Sequence, residues 1–145
     1  MVRNRRNVFG KALFAVLATP AVWRASWRLV RSRKRRLDVL ARDMRRVPRW
    51  RLAVLAHPGH LAATVDRWLW ALPPWGYGRC FKRSLLLLDL WARCGLGPTL
   101  HLGARRSPPE DPASSPASRD FHAWVTTGDG GPWTSSEGHL EIWRG

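Results

Sequence analysis

The sequence predicts an α+β fold, with helices first and a small antiparallel sheet last. Three observations carry this. Apolar residues recur at spacings of three and four through most of residues 8–94. Past Gly95 the pattern changes to short strand-like runs at 99–103, 120–127 and 132–136, separated by Pro, Ser and Gly. Helices segregated from strands in chain order indicate α+β. The 145 residues hold no internal repeat and suit one domain. Within it, 1–60 reads as a basic helical region and 61–145 as the part that carries chemistry.

Composition narrows the class. Apolar residues make up 45% and Trp fills 10 positions, so the chain can build a core and is not a disordered one. Two cysteines, Cys80 and Cys94, exclude a disulfide scaffold and a Cys-rich zinc module. The net charge of +15 is uneven. Residues 1–51 carry 16 basic and 2 acidic side chains, a net +14. Such an arm suits nucleic acid, an anionic membrane or an acidic protein, or else is a solvated helix face. No zinc finger, RNP-type strand or helix-turn-helix accompanies it, so nucleic acid is not the expected partner.

The first helix is expected over 8–30, with Pro20 marking a kink or a restart. Arg3, Arg5 and Arg6 before an apolar stretch look like the start of a signal peptide. Lys11 and Pro20 interrupt that stretch, and the dense positive charge after it disfavours export. A cytoplasmic protein is expected, with weak membrane-surface attachment left open. A second helix is expected over 32–47, its stripe Leu37, Leu40, Met44 and Val47, with Asp38 four residues before Arg42. Residues 49–56 add one or two turns before His57-Pro58-Gly59. The next stripe is Leu61, Val65, Trp68, Leu69 and Leu72, stopped by Pro73-Pro74. A helix over 80–94 has Phe81, Leu85, Leu88 and Trp91 as its core face, and Gly95 as its cap. Residues 104–119 hold four prolines and four serines and read as a loop. Gly128 to Gly131 is a turn, and Leu140 to Trp143 a third strand or an edge.

Two residues invite chemistry. Cys80 starts a helix behind the loop Trp75-Gly76-Tyr77-Gly78, and His122 lies in a strand. Unpaired N–H groups at a helix start favour a thiolate and can hold an oxyanion. A histidine within reach would accept and return the proton. The bland reading is a small buried thiol and a hydrogen-bonded core histidine. Cys94, near a helix end, reads as structural. Hairpin counting puts 134–137 near His122, which makes Glu137 a candidate third member. Asp120 shares the strand face of His122, and Asp129 shapes the turn. Metal binding is disfavoured. His57 and His60 are separated by Pro58-Gly59, and Cys80, Cys94, His101, His122 and His139 lack zinc spacing. Most tryptophans are expected in the core, while Trp75 and Tyr77 beside Cys80 could line a cleft.

Residues 80–95, Cys-Phe-Lys-Arg-Ser-Leu-Leu-Leu-Leu-Asp-Leu-Trp-Ala-Arg-Cys-Gly, resemble the nucleophile helix of the lasso peptide biosynthesis B2 proteins. The family pattern is Cys-x-x-Arg-Ser-Leu, an apolar helix ending in Gly and a strand ending in Gly, matched by Leu100 to Gly103. His-Ala-Trp-Val follows, matched at His122 to Val125. The resemblance spans about residues 75–128. It implies a transglutaminase-like, papain-like core and a cysteine peptidase that removes the leader from a lasso peptide precursor. It implies Cys80 as nucleophile, His122 as base and an Asp on the following strand. Here that stretch reads Trp133-Thr134-Ser135-Ser136-Glu137. Glu137 takes the place of that Asp, the hairpin is longer, or the site works as a dyad. Trp124 of the motif joins Trp75 and Tyr77 as a candidate substrate contact. No cofactor is expected. The expected partners are the precursor peptide, a separate leader-recognition protein and the lasso cyclase. The alternative is a non-catalytic basic module for an acidic partner, nucleic acid or a membrane surface.

Overall fold

Helix α1 spans Arg3–Ser32, α2 Leu37–Arg45, α3 Pro58–Trp68 and α4 Arg79–Arg93. Strands β1 (Thr99–Arg106), β2 (Arg119–Thr126) and β3 (Leu140–Arg144) follow. The computed structural model describes residues 3–50, 57–106, 119–128 and 140–144. The α+β order is as the sequence predicts. Among the described strands the sheet order is β2-β1-β3, with both pairings antiparallel.

Helix α1 continues through Pro20. Pro20 deprives the Val16 carbonyl of its N–H, but both residues lie on the exposed face, where water can serve that carbonyl. The expected second helix starts late, at Leu37. Residues 33–35 form a turn, with Arg35 N donating to Ser32 O at 3.0 Å. Breaking the helix there spreads the run Arg31 to Arg36 rather than stacking its cations on one axis. Asp38 pairs with Arg36 (3.5 Å) instead of Arg42, and Asp43 pairs with Arg35. Of the expected turns at 49–56, residues 49 and 50 are not helical and 51–56 lie outside the described residues.

His57-Pro58 opens a helix instead of interrupting one. His57 is the N-cap of α3, its Nδ1 accepting from His60 N at 3.3 Å, and Pro58 occupies the first turn, where its missing N–H costs nothing. The two imidazoles stack at 4.0 Å. Among the described residues no three or more His, Cys, Asp or Glu cluster to hold a metal.

The chain's one-sided reading of α4 is too narrow. Leu85 to Leu88, Leu90 and Trp91 are all fully buried, so apolar side chains cover the whole circumference. Such a helix must be central. Helices α1, α2 and α3 surround it, and Leu100 of β1 and Val125 of β2 join the same core. The basic region 1–60 and the region 61–145 therefore share one core. Asp89 of α4 is fully buried, held by Arg28 of α1 and by Arg93 Nε at 2.6 Å. Burial pushes its carboxyl above the ordinary range, and the two guanidiniums pull it back. Gly95, at φ +75°, closes α4. Gly95 N donates to Ala92 O and Leu96 N to Trp91 O, the paired bonds of a left-handed cap.

Strand β1 runs three residues beyond the expected 99–103, to Arg106, and pairs Arg106 with Arg119. It thus takes both ends of the expected loop 104–119 into the sheet. Residues 107–118, the turn 129–131, the expected strand 132–136 and Glu137 lie outside the described residues. Strand β3 pairs with β1, with a register shift between Leu102 and Gly103. No described helix is long and apolar enough to cross a membrane.

Candidate active site

Cys80 is the second residue of α4, behind Gly78, which adopts φ −54° and ψ 138° as N-cap. Glycine offers no side-chain oxygen there, so it leaves the N–H groups of the first turn uncapped. The first intrahelical bond is Lys82 N to Gly78 O at 2.9 Å, which places the N–H groups of Cys80 and Phe81 before the ladder begins. Lys82 does not face the site. Its side chain is buried and its Nζ donates to Leu72 O at 2.8 Å. Burial, with the charge of Arg79, lowers its pKa.

Two side chains of α4 fix β2 to the helix. Ser84 Oγ donates to Ala123 O at 2.9 Å, and the Cys80 thiol lies 3.9 Å from Phe121 O, to which it donates. Cys80 and Ser84 are one helical turn apart; Phe121 and Ala123 are one strand period apart. The helix start is thereby registered against the strand with His122 between the two bonded carbonyls.

Strand alternation sorts β2. Ala123 and Val125 are buried with Leu100, toward α4. His122 stacks on Trp124 (6.1 Å, 17°), and Trp124 stacks on His101 of β1 (5.4 Å, 6°). His101 Nε2 lies 2.9 Å from Thr126 Oγ1. This aromatic row fixes the ring plane of His122.

Cys80 and His122 are both among the residues that line one cavity of about 390 Å³, whose remaining walls are Gly78, Phe81, Leu102, Gly103, Phe121 and Ala123. Both side chains are half-buried, and Phe121 is 60% exposed at its rim. A thiol beside uncapped N–H groups and an apolar hollow can attack a carbonyl and hold the oxyanion, while strand alternation sets the His122 ring with Trp124 on the face opposite Ala123 and Val125. Cys94, in contrast, is half-buried at the other end of α4, and burial pushes its thiol up to about 11.

The other predicted residues fall elsewhere. Trp124 is buried in the aromatic row and is not among the cavity's walls. Trp75 is 70% exposed in the loop before α4 and also stands outside the lining. Tyr77 packs against the core and Phe81, its hydroxyl donating to Arg33 O at 3.1 Å. Asp120 lies in β2 opposite Arg105, two residues before His122. Sequence reasoning missed Phe81, Leu102, Gly103, Phe121 and Ala123 as walls. It also missed that Gly103 lies opposite both His122 and Glu141. Only the spacing of Cys80 from the strand glycine could have hinted at it. No family model, no curated protein and no solved structure matches this chain.

Proposed function

We propose that the protein is a transglutaminase-like cysteine peptidase that removes the leader from a lasso peptide precursor in the cytoplasm. The observation that supports this best is the shared cavity of Cys80, at the uncapped start of α4, and His122. His122 takes the thiol proton as Cys80 Sγ bonds to the carbonyl carbon between leader and core. N–H groups of residues 80–81 hold the oxyanion. The C–N bond breaks, the core amine leaves with the proton from His122, and a thioester remains. Water, deprotonated by His122, then releases the leader as a carboxylic acid.

Mass spectrometry of a precursor peptide tests the reading, with the leader-recognition protein and the cyclase present. A single cut that Cys80→Ala abolishes is expected; cleavage at an unchanged rate by that variant would overturn it. Amide variants of Asp120, Glu137 and Glu141, made singly, identify the acid that orients His122, and full activity in all three would leave a Cys–His dyad.

The exposed face of α1 favours a second role for the basic region. Leu13, Val16, Leu17 and Trp27 are each about half exposed or more, and Arg24 and Arg31 lie on the same face. A face of this kind suits docking to an acidic partner. In the leader-peptidase reading that partner is the leader-recognition protein or the cyclase. In the alternative, the face is the whole function and Cys80 is unreactive.

A further inference from the structure

We propose that the hollow beside Cys80 is an apolar side-chain subsite, which selects a substrate carrying a large aliphatic or aromatic residue next to the cleaved bond. This rests on the peptidase reading and names its substrate class. The walls other than Cys80 and His122 are Phe81, Leu102, Phe121, Ala123 and two glycines. Apart from Cys80 and His122 no described wall carries an ionisable side chain, so an acidic or basic side chain entering the hollow would lose its water with no dedicated counter-charge beside it. Its volume, about 390 Å³, lies within the range of sites that hold small organic groups.

The glycine in its wall is informative. A Cβ built on Gly78 meets nothing within 4 Å, and its backbone angles suit any residue. Neither strain nor crowding therefore demands glycine at 78. A side chain there would take up space at the mouth of the hollow beside Cys80. Phe121 is more than half exposed while its neighbour Ala123 is buried and Leu102 half-buried, so it offers an aromatic surface at the rim for a ligand to cover.

The test uses two neutral chloroacetamides with the same warhead, N-benzyl and N-(2-hydroxyethyl). Their rates of alkylation of Cys80 are normalised to their rates with glutathione. The subsite predicts a benzyl preference of roughly 10-fold or more, the scale on which apolar pockets discriminate. Gly78→Val, which narrows the hollow, and Phe121→Ser, which strips its rim, should each cut that preference at least threefold, read as the ratio of the two probes within each variant. Equal normalised rates in the wild type, or a preference untouched by both variants, would overturn the subsite. The peptidase reading is read separately from His122→Gln. If both probes react as slowly as with an ordinary thiol and His122→Gln changes nothing, activation fails, while a surviving benzyl preference still supports the subsite. If His122→Gln slows both probes equally and no preference exists, the subsite fails and activation stands.

Discussion

The two thiols of α4 should differ in reactivity, and Cys94 is the one for which the difference can be worked out. Its thiol is pushed up to about 11 by burial. At pH 8 about 1 in 1,000 Cys94 side chains is then a thiolate, against about 1 in 4 for an ordinary thiol near 8.5. That alone slows reaction some 240-fold. A more basic thiolate is a better nucleophile, and a Brønsted slope of about 0.45 over ~2.5 units returns ~13-fold. The net expectation is about 20-fold slower reaction in the folded chain than in the unfolded one. The assay is disulfide exchange with 4,4′-dithiodipyridine on Cys80→Ser, in which Cys94 is the only thiol, with and without denaturant at pH 8. A neutral reagent is needed because the basic N-terminal third would concentrate an anionic one. Folded and unfolded rates within threefold of each other would refute the reasoning. The sign for stability follows. Native Cys94 keeps its proton where the unfolded thiol begins to lose it, so its contribution is intact below about pH 8.5 and is lost as pH rises toward 11.

Asp89→Ala leaves Arg28 and Arg93 without their shared buried anion and should cost about 3–5 kcal/mol in urea unfolding; a loss under 1 kcal/mol would show that water replaces it. Ser84→Ala strips the donor from the Ala123 carbonyl and should cost about 1–3 kcal/mol. Because that bond registers α4 on β2, the same variant should also slow Cys80-dependent cleavage, and unchanged kcat/KM would separate the two roles. Gly95→Ala puts a Cβ at φ +75° and should lower stability by about 1 kcal/mol in thermal unfolding; an unchanged Tm would show that the cap relaxes.

Legibility in the sequence followed the length of the periodic signal. The stripe from Leu61 to Leu72 and the helix after Cys80 were readable because each repeats its apolar spacing over at least three turns. What the stripe could not convey was that α4 is central. A residue such as Leu87 looks surplus on a one-sided wheel and proves fully buried, because three helices and a sheet enclose it. The start of α2 is misplaced because residues 31–36 hold no apolar residue to phase a helix, and the observed helix begins only at Leu37, the first residue of its apolar stripe. His57-Pro58 enters the sequence reading only as the break after the turns expected at 49–56, although the same pair, as cap and first residue, is a start signal. Cys80 and His122 were legible as residue types in suitable elements. Their shared cavity was not, since it depends on Gly103 and the register of β1 with β2, which are 19 residues apart at His122 and Gly103.

The charge of the N-terminal third also divides once the contacts are known. Arg28 is committed to Asp89 in the core, and Arg35 is paired with Asp43. Arg28 ties α1 to α4, whose second residue is Cys80, and Arg35 ties the turn after α1 to α2. Arg24 and Arg31 lie on the exposed face with Leu13, Val16, Leu17 and Trp27, on the side of α1 opposite its buried residues Val22, Ala25 and Leu29. The same helix thus uses one face to support α4 and leaves the other exposed, the face on which a partner would seat in the proposed reading. Because Arg28 links that helix to Asp89, nine residues beyond Cys80 on the same helix, a partner seated on α1 in the proposed reading would be referenced to Cys80 through two packed helices and not through a loop. A substrate delivered by such a partner would arrive at a fixed distance from the thiol, which is what a single cut in a long, otherwise unstructured peptide requires.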